Sequence, residues 1–157
     1  MDYFFISGRS MEPFLMKKKD LVVAETSNIR DVAVGDIITF YNKDKELIES
    51  KTNIICHRVV AVRRTKGNIV LIEKGDNFLE CSEVDESNFI GKVRMVYKNN
   101  EIINLSSKKW KVVGMVFAII SKLSLFYNIK IMKRINLKHK KGIQYKLELL
   151  MLRVLLQ

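Results

Sequence analysis

At 157 residues, with 48% hydrophobic and 9% aromatic composition, the chain has the size and apolar content of one folded domain with an appendage, which excludes a disordered polypeptide. Its formal charge of +11 is unevenly placed: residues 1–106 carry sixteen Lys/Arg and sixteen Asp/Glu, whereas residues 107–157 carry twelve Lys/Arg against the lone Glu148. A basic surface over the first two-thirds is therefore excluded, and two cysteines, Cys56 and Cys81, are too few for a disulfide framework.

The first residues have no basic start and no apolar run beyond Tyr3–Ile6, so they do not read as a signal peptide. Ser7-Gly8-Arg9-Ser10-Met11-Glu12-Pro13 then sets a serine ahead of the chain's one proline. Short β-branched runs follow at Leu21–Ala24, Asp36–Tyr41, Ile54–Arg64, Asn68–Glu73, Phe89–Tyr97 and Glu101–Leu105, separated by turn residues. Thr65-Lys66-Gly67-Asn68 and Asn99-Asn100 read as hairpin connections, because Gly and Asn accept the positive φ of tight turns. The pattern predicts a mainly β, antiparallel domain over 1–106.

After Ser106 the pattern changes. Val112–Tyr127 is nearly continuous apolar sequence broken by Lys122, and Leu147–Leu156 places apolar residues on a broad helical face. The expectation for 107–157 is a basic helical appendage in two pieces joined by Lys130–Lys141. Val112–Tyr127 falls short of the roughly 20 residues that span a bilayer. Its lysine flanks suit either an interfacial contact with anionic lipid or packing on the β domain or a protein partner.

Chemistry concentrates in three boxes. Ser10 supplies a hydroxyl; Ile55-Cys56-His57-Arg58-Val59 supplies an imidazole in a strand; Lys74-Gly75-Asp76-Asn77 supplies a carboxylate at a strand end. These are the three roles of nucleophilic acyl transfer. At strand spacing His57 shares a face with Ile55 and Val59, while Cys56 and Arg58 point the other way. If 54–64 and 68–74 form the hairpin their turn suggests, base and carboxylate meet. With His139 in the basic tail, no metal-ligand spacing appears, no cofactor motif is present, and both cysteines read as packing residues.

Taken in order, SGRSMEP, VGDIITFY at Val34–Tyr41, CHRVVAV, KGDN and NFIGKV at Asn88–Val93 resemble the signal peptidase I family, serine endopeptidases that cut signal peptides from exported proteins. The resemblance runs from about Ile6 to Val96 and implies a β-rich signal-peptidase-like catalytic fold, shared with LexA-like self-cleaving peptidases. A histidine in the middle box is similar to the endoplasmic-reticulum and archaeal type, where bacterial housekeeping members carry lysine. It implies Ser10 as nucleophile, His57 as general base and Asp76 as orienting carboxylate, with Asp85 and Glu80 as alternative acids. The backbone N–H of Ser10 would serve the oxyanion hole; Gly8 stands where a hydroxyl donor is otherwise found.

The implied substrate is a signal or leader peptide cut after small residues. Two alternatives stand beside it: a dedicated leader peptidase of a small-peptide biosynthetic system, and a LexA-like non-catalytic or self-cleaving regulator. The regulator is disfavoured because only Met1–Arg9 precede Ser10, where a DNA-binding domain would sit, and no helix-turn-helix pattern marks 107–157. Nucleic acid is accordingly not an expected partner. The expected location is a membrane surface, with peripheral or shallow attachment and no transmembrane segment.

Overall fold

The β-branched runs become strands of one sheet because each supplies apolar side chains on a pleat that can be covered. A computed structural model of the chain describes residues 1–42 and 54–131. Among these, the strands are β1 (Asp2–Phe5), β2 (Leu21–Thr26), β3 (Ile37–Tyr41), β4 (Ile54–Arg64), β5 (Ile69–Lys74), β6 (Cys81–Val84), β7 (Phe89–Lys98) and β8 (Glu101–Asn104). Their order across the sheet is β1-β2-β7-β3-β4-β5-β6, and β8 pairs with the end of β7 that β3 leaves free. Every pairing is antiparallel.

Both expected tight turns form. Gly67 takes φ +94° between β4 and β5, and Asn99 and Asn100 take φ 51° and 65° between β7 and β8. β1 and β6 are additions to the expected strands; each has four residues, three of them exposed.

The central strands are covered on both faces, which is why they read as unbroken apolar runs. On β3, Ile37 enters a cluster with Met11, Phe14, Val93 and Phe117, whereas its neighbour Ile38 enters a second cluster with Val32, Phe40, Val59 and Leu71. The first cluster is closed by a helix, α1 (Lys108–Ile131). It starts where Lys111 N–H bonds Ser107 O at 3.0 Å, four residues ahead of the apolar run that signalled it. Val113, Phe117 and Ala118 are buried against the sheet, and full burial of a side chain such as Phe117 is worth roughly 1.5–3 kcal/mol. The opposite side of α1 presents Val112, Met115, Ile119 and Leu123, 49–60% exposed. His139, residues 132–141 of the basic stretch and the second helical piece expected at 147–156 lie outside the described residues.

Candidate active site

Ser10 lies in the turn between β1 and β2. Met11, 1% exposed, anchors that turn in the core, and Leu15 N–H closes it on Met11 O at 2.8 Å. The turn after β5 grips the same segment: Asn77 donates its N–H to Ser10 O (2.7 Å) and its Nδ2 to Arg9 O (3.2 Å). Gly75 occupies the narrow point. A Cβ there would lie 3.0 Å from Ser10 Cβ and 3.1 Å from His57 Nε2, so a single methyl would touch both. Ser10 Cβ and His57 Nε2 thus both border the position of a Gly75 side chain, and no residue with a Cβ can stand there without displacing its neighbours.

His57, 8% exposed, is held edge-on between Phe40 (centroids 6.0 Å) and Phe78 (5.8 Å). Its Nδ1 bonds Glu73 Oε2 at 2.6 Å. A carboxylate only accepts, so Nδ1 carries a proton, and in the neutral imidazole Nε2, which borders Gly75, keeps its lone pair. The other Glu73 oxygen accepts from Ser82 Oγ, and Glu73 is 3% exposed. This line of side chains follows from register: Glu73 pairs with Val59 on β4 and with Ser82 on β6, and His57 shares the face of Val59 two residues away.

Asp76 does not take the expected place behind the imidazole. Its Oδ1 and Oδ2 accept from Arg58 Nε (2.8 Å) and Nη2 (2.7 Å), on the side of the sheet that α1 covers. The cause is a β-bulge. Near the hairpin turn the pairing runs Arg64↔Ile69 to Ala61↔Ile72; continued unbroken, it would bring His57 opposite Asp76. The pairing instead resumes at Val59↔Glu73, leaving Val60 as an extra residue, and Glu73 moves to the imidazole face. Glu80 is exposed, and Asp85 caps the turn after β6 by accepting from Ser87 N–H at 2.9 Å. The contact with the imidazole belongs to Glu73, which the sequence showed only as one carboxylate at the end of an otherwise apolar strand.

No acceptor among the described residues takes the Ser10 N–H, and Gly8 lies beside it: a Cβ at Gly8 would be in ordinary van der Waals contact, 3.9 Å from both Ser10 N and Oγ. Cys56 is packed against the first cluster and burial pushes its thiol up to about 12; burial raises Cys81 as well. Among the described residues no group of three or more His, Cys, Asp or Glu is placed to hold a metal ion.

Serine and imidazole open on a cleft of about 560 Å³. One wall is β1 with Ser7–Met11; the other is Ile54–His57 with Phe78. Among the described residues both walls carry free strand edges, since β1 pairs with β2 on one side alone and β5 meets β4 from Arg58 onward. Such edges can take an extended chain by main-chain hydrogen bonds. Comparison with protein-family models, with curated proteins and with solved structures finds no match to this chain. The chemistry therefore rests on these residues.

Proposed function

We propose that this chain is a signal-peptidase-like serine endopeptidase that cleaves signal or leader peptides, with Ser10 as nucleophile, His57 as base and Glu73, in place of Asp76, as orienting carboxylate. One observation carries the reading: Ser10 and His57 Nε2 converge on Gly75 while a buried carboxylate holds the far nitrogen of the imidazole.

The peptide lies extended in the cleft, its scissile carbonyl carbon beside Ser10 Oγ. As Oγ attacks, its proton passes to His57 Nε2, and the carbonyl oxygen, now anionic, accepts from the Ser10 N–H. His57 then gives that proton to the leaving amine as the C–N bond breaks. The acyl group left on Ser10 is released by water, deprotonated by the same nitrogen. Glu73 stabilises the imidazolium formed in each half, and Ser82 fixes Glu73. Imidazole suits this exchange because one ring nitrogen accepts the proton while the other stays hydrogen-bonded to the carboxylate.

The test is cleavage of a panel of signal and leader peptides by the purified full chain, beside Ser10→Ala, with products identified by mass spectrometry. Ser10-dependent cuts after small residues support the reading, and the substrates cut divide export processing from a dedicated leader peptidase. No Ser10-dependent cleavage of any peptide, with or without lipid, would refute it.

Location at an anionic membrane surface belongs to the same reading. No helix among the described residues is long and apolar enough to cross a membrane. The outer stripe of α1, Val112, Met115, Ile119 and Leu123, is instead flanked by Lys109 on one side and Lys111 and Lys122 on the other, a pattern that seats in a lipid interface. Each lysine near the surface adds about 1 kcal/mol on anionic lipid. Flotation with phosphatidylglycerol vesicles, lost in phosphatidylcholine vesicles and in Ile119→Glu, is the expected result; self-association through the stripe without lipid binding would replace the membrane by a second copy.

A further inference from the structure

Arg58 follows His57 directly, and alternation along β4 turns its side chain to the opposite face. There the guanidinium is 2% exposed. Nε and Nη2 fork onto Asp76, Nη1 donates to Gly35 O at 3.1 Å, and the central carbon lies 4.8 Å from the ring centre of Phe14 and 4.9 Å from that of Phe117. The two rings meet edge-to-face at 5.5 Å, so the charge sits in the angle between them. A buried guanidinium has given up its water, and here a carboxylate, a carbonyl and two π faces replace it.

Most of those partners bear on the active site. Phe14 belongs to the turn that carries Ser10, and Asp76 lies between Gly75, the spacer of serine and imidazole, and Asn77, which holds Ser10 O. The remaining ring, Phe117, comes from α1 and is fully buried. The helix reaches this depth because two glycines let backbones touch: a Cβ on Gly114 would lie 2.6 Å from Gly35 O, and one on Gly35 would lie 2.6 Å from Gly114 C. Trp110 completes the seat with its edge-to-face contact on Phe14 at 5.9 Å.

We infer that α1 is a positioning element of the active site: Phe117, through Arg58 and Asp76, holds the Gly75-Asp76-Asn77 turn against Ser10. The inference rests on the endopeptidase reading above and assigns a role to the basic appendage that its charge does not suggest. Without the Phe117 ring, one side of the guanidinium opens, the fork on Asp76 loosens, and the spacing of Ser10 from His57 Nε2 is no longer fixed.

The experiment compares the full chain with Phe117→Leu, which keeps apolar bulk without the ring, and with Phe117→Ala, each assayed well below its melting temperature. It reads kcat and KM on a cleaved peptide, the rate at which a fluorophosphonate labels Ser10, and hydrogen exchange of the Arg58 Nε–H by NMR. Phe117→Leu is expected to lower kcat and labelling by about 10–10²-fold with KM nearly unchanged, the scale of a small misplacement of reacting groups. Loss of Arg58 Nε–H protection should accompany it. Unaltered kcat and labelling in folded Phe117→Leu would overturn the inference while leaving the endopeptidase intact. If the unaltered chain neither cleaves nor labels, the endopeptidase reading is what fails. The positioning of an active site then falls with it, whatever Arg58 protection shows; retained Arg58 protection in Phe117→Leu of an active chain would likewise overturn the inference.

Discussion

The two faces of the β4–β5 hairpin hold the same kinds of groups, a buried carboxylate on a basic side chain, in opposite surroundings. On the cleft face, Glu73 meets the imidazole of His57, whose second nitrogen is left for another partner. On the α1 face, Asp76 meets the guanidinium of Arg58, which offers donors only, and aromatic rings enclose it. One carboxylate borders the cleft through an imidazole and the other is sealed in the core on a guanidinium, although their basic partners are neighbours in sequence. The lesson is that a buried carboxylate is assigned by its partner: beside imidazole it is a candidate for chemistry, beside guanidinium a structural tie.

That contrast can be broken in order of expected effect. His57→Ala removes the base and should cut peptide turnover by about 10⁶, with the fold intact by circular dichroism; a variant retaining normal turnover would remove the cleft face from the chemistry. Glu73→Gln leaves the shape but not the charge and should lower kcat by about 10⁴, as when a triad carboxylate is neutralised. Asp76→Asn should show itself first in chemical denaturation, losing about 3–5 kcal/mol because Arg58 stays buried without its counter-charge. If Asp76→Asn instead left stability untouched and abolished only the rate, the roles of the two acids would be exchanged.

Gly75→Ala tests the point where the faces join. Its methyl would press on Ser10 O at 2.8 Å as well as on Ser10 Cβ and His57 Nε2, so kcat should drop by about 10² in a protein that still folds. The smallest effect is alkaline. With the Cys56 thiol raised from 9.0 to about 12 by burial, the folded state disfavours the thiolate; its contribution to stability is whole below pH 9 and is lost as pH climbs toward 12. Cys56→Ser should flatten that part of the stability curve. In the native protein at pH 8, iodoacetamide should modify the exposed Cys81 before Cys56.

Much of the fold was legible because its signals are local. Gly67 and the Asn99-Asn100 pair declare their hairpins by the φ they tolerate, and Ile54–Arg64 keeps its expected bounds as β4. β6 was hidden: Cys81–Val84 has three exposed residues and pairs by backbone along β5. The extent of α1 was hidden too, since its first turn is Lys108–Lys111 and apolar residues occupy both its inner and outer sides. In the site, Ser10 and His57 stood out as residue types whose chemistry is seldom placed in such company. Glu73 did not, because its partnership depends on one residue of register, and neither propensity nor alternation marks where a strand will bulge.

The unpaired Val60 has a consequence of its own. Strand pairing near the hairpin tip and strand pairing near the imidazole are out of step by one, so the fold contains a frameshift that the peptide chain does not. Drawing Val60 into the ladder opposite Glu73 would remove the offset and bring His57 opposite the aspartate of the next turn, one acid in place of another while every residue of the chain kept its identity. Which carboxylate meets the imidazole, in this architecture, is a matter of counting.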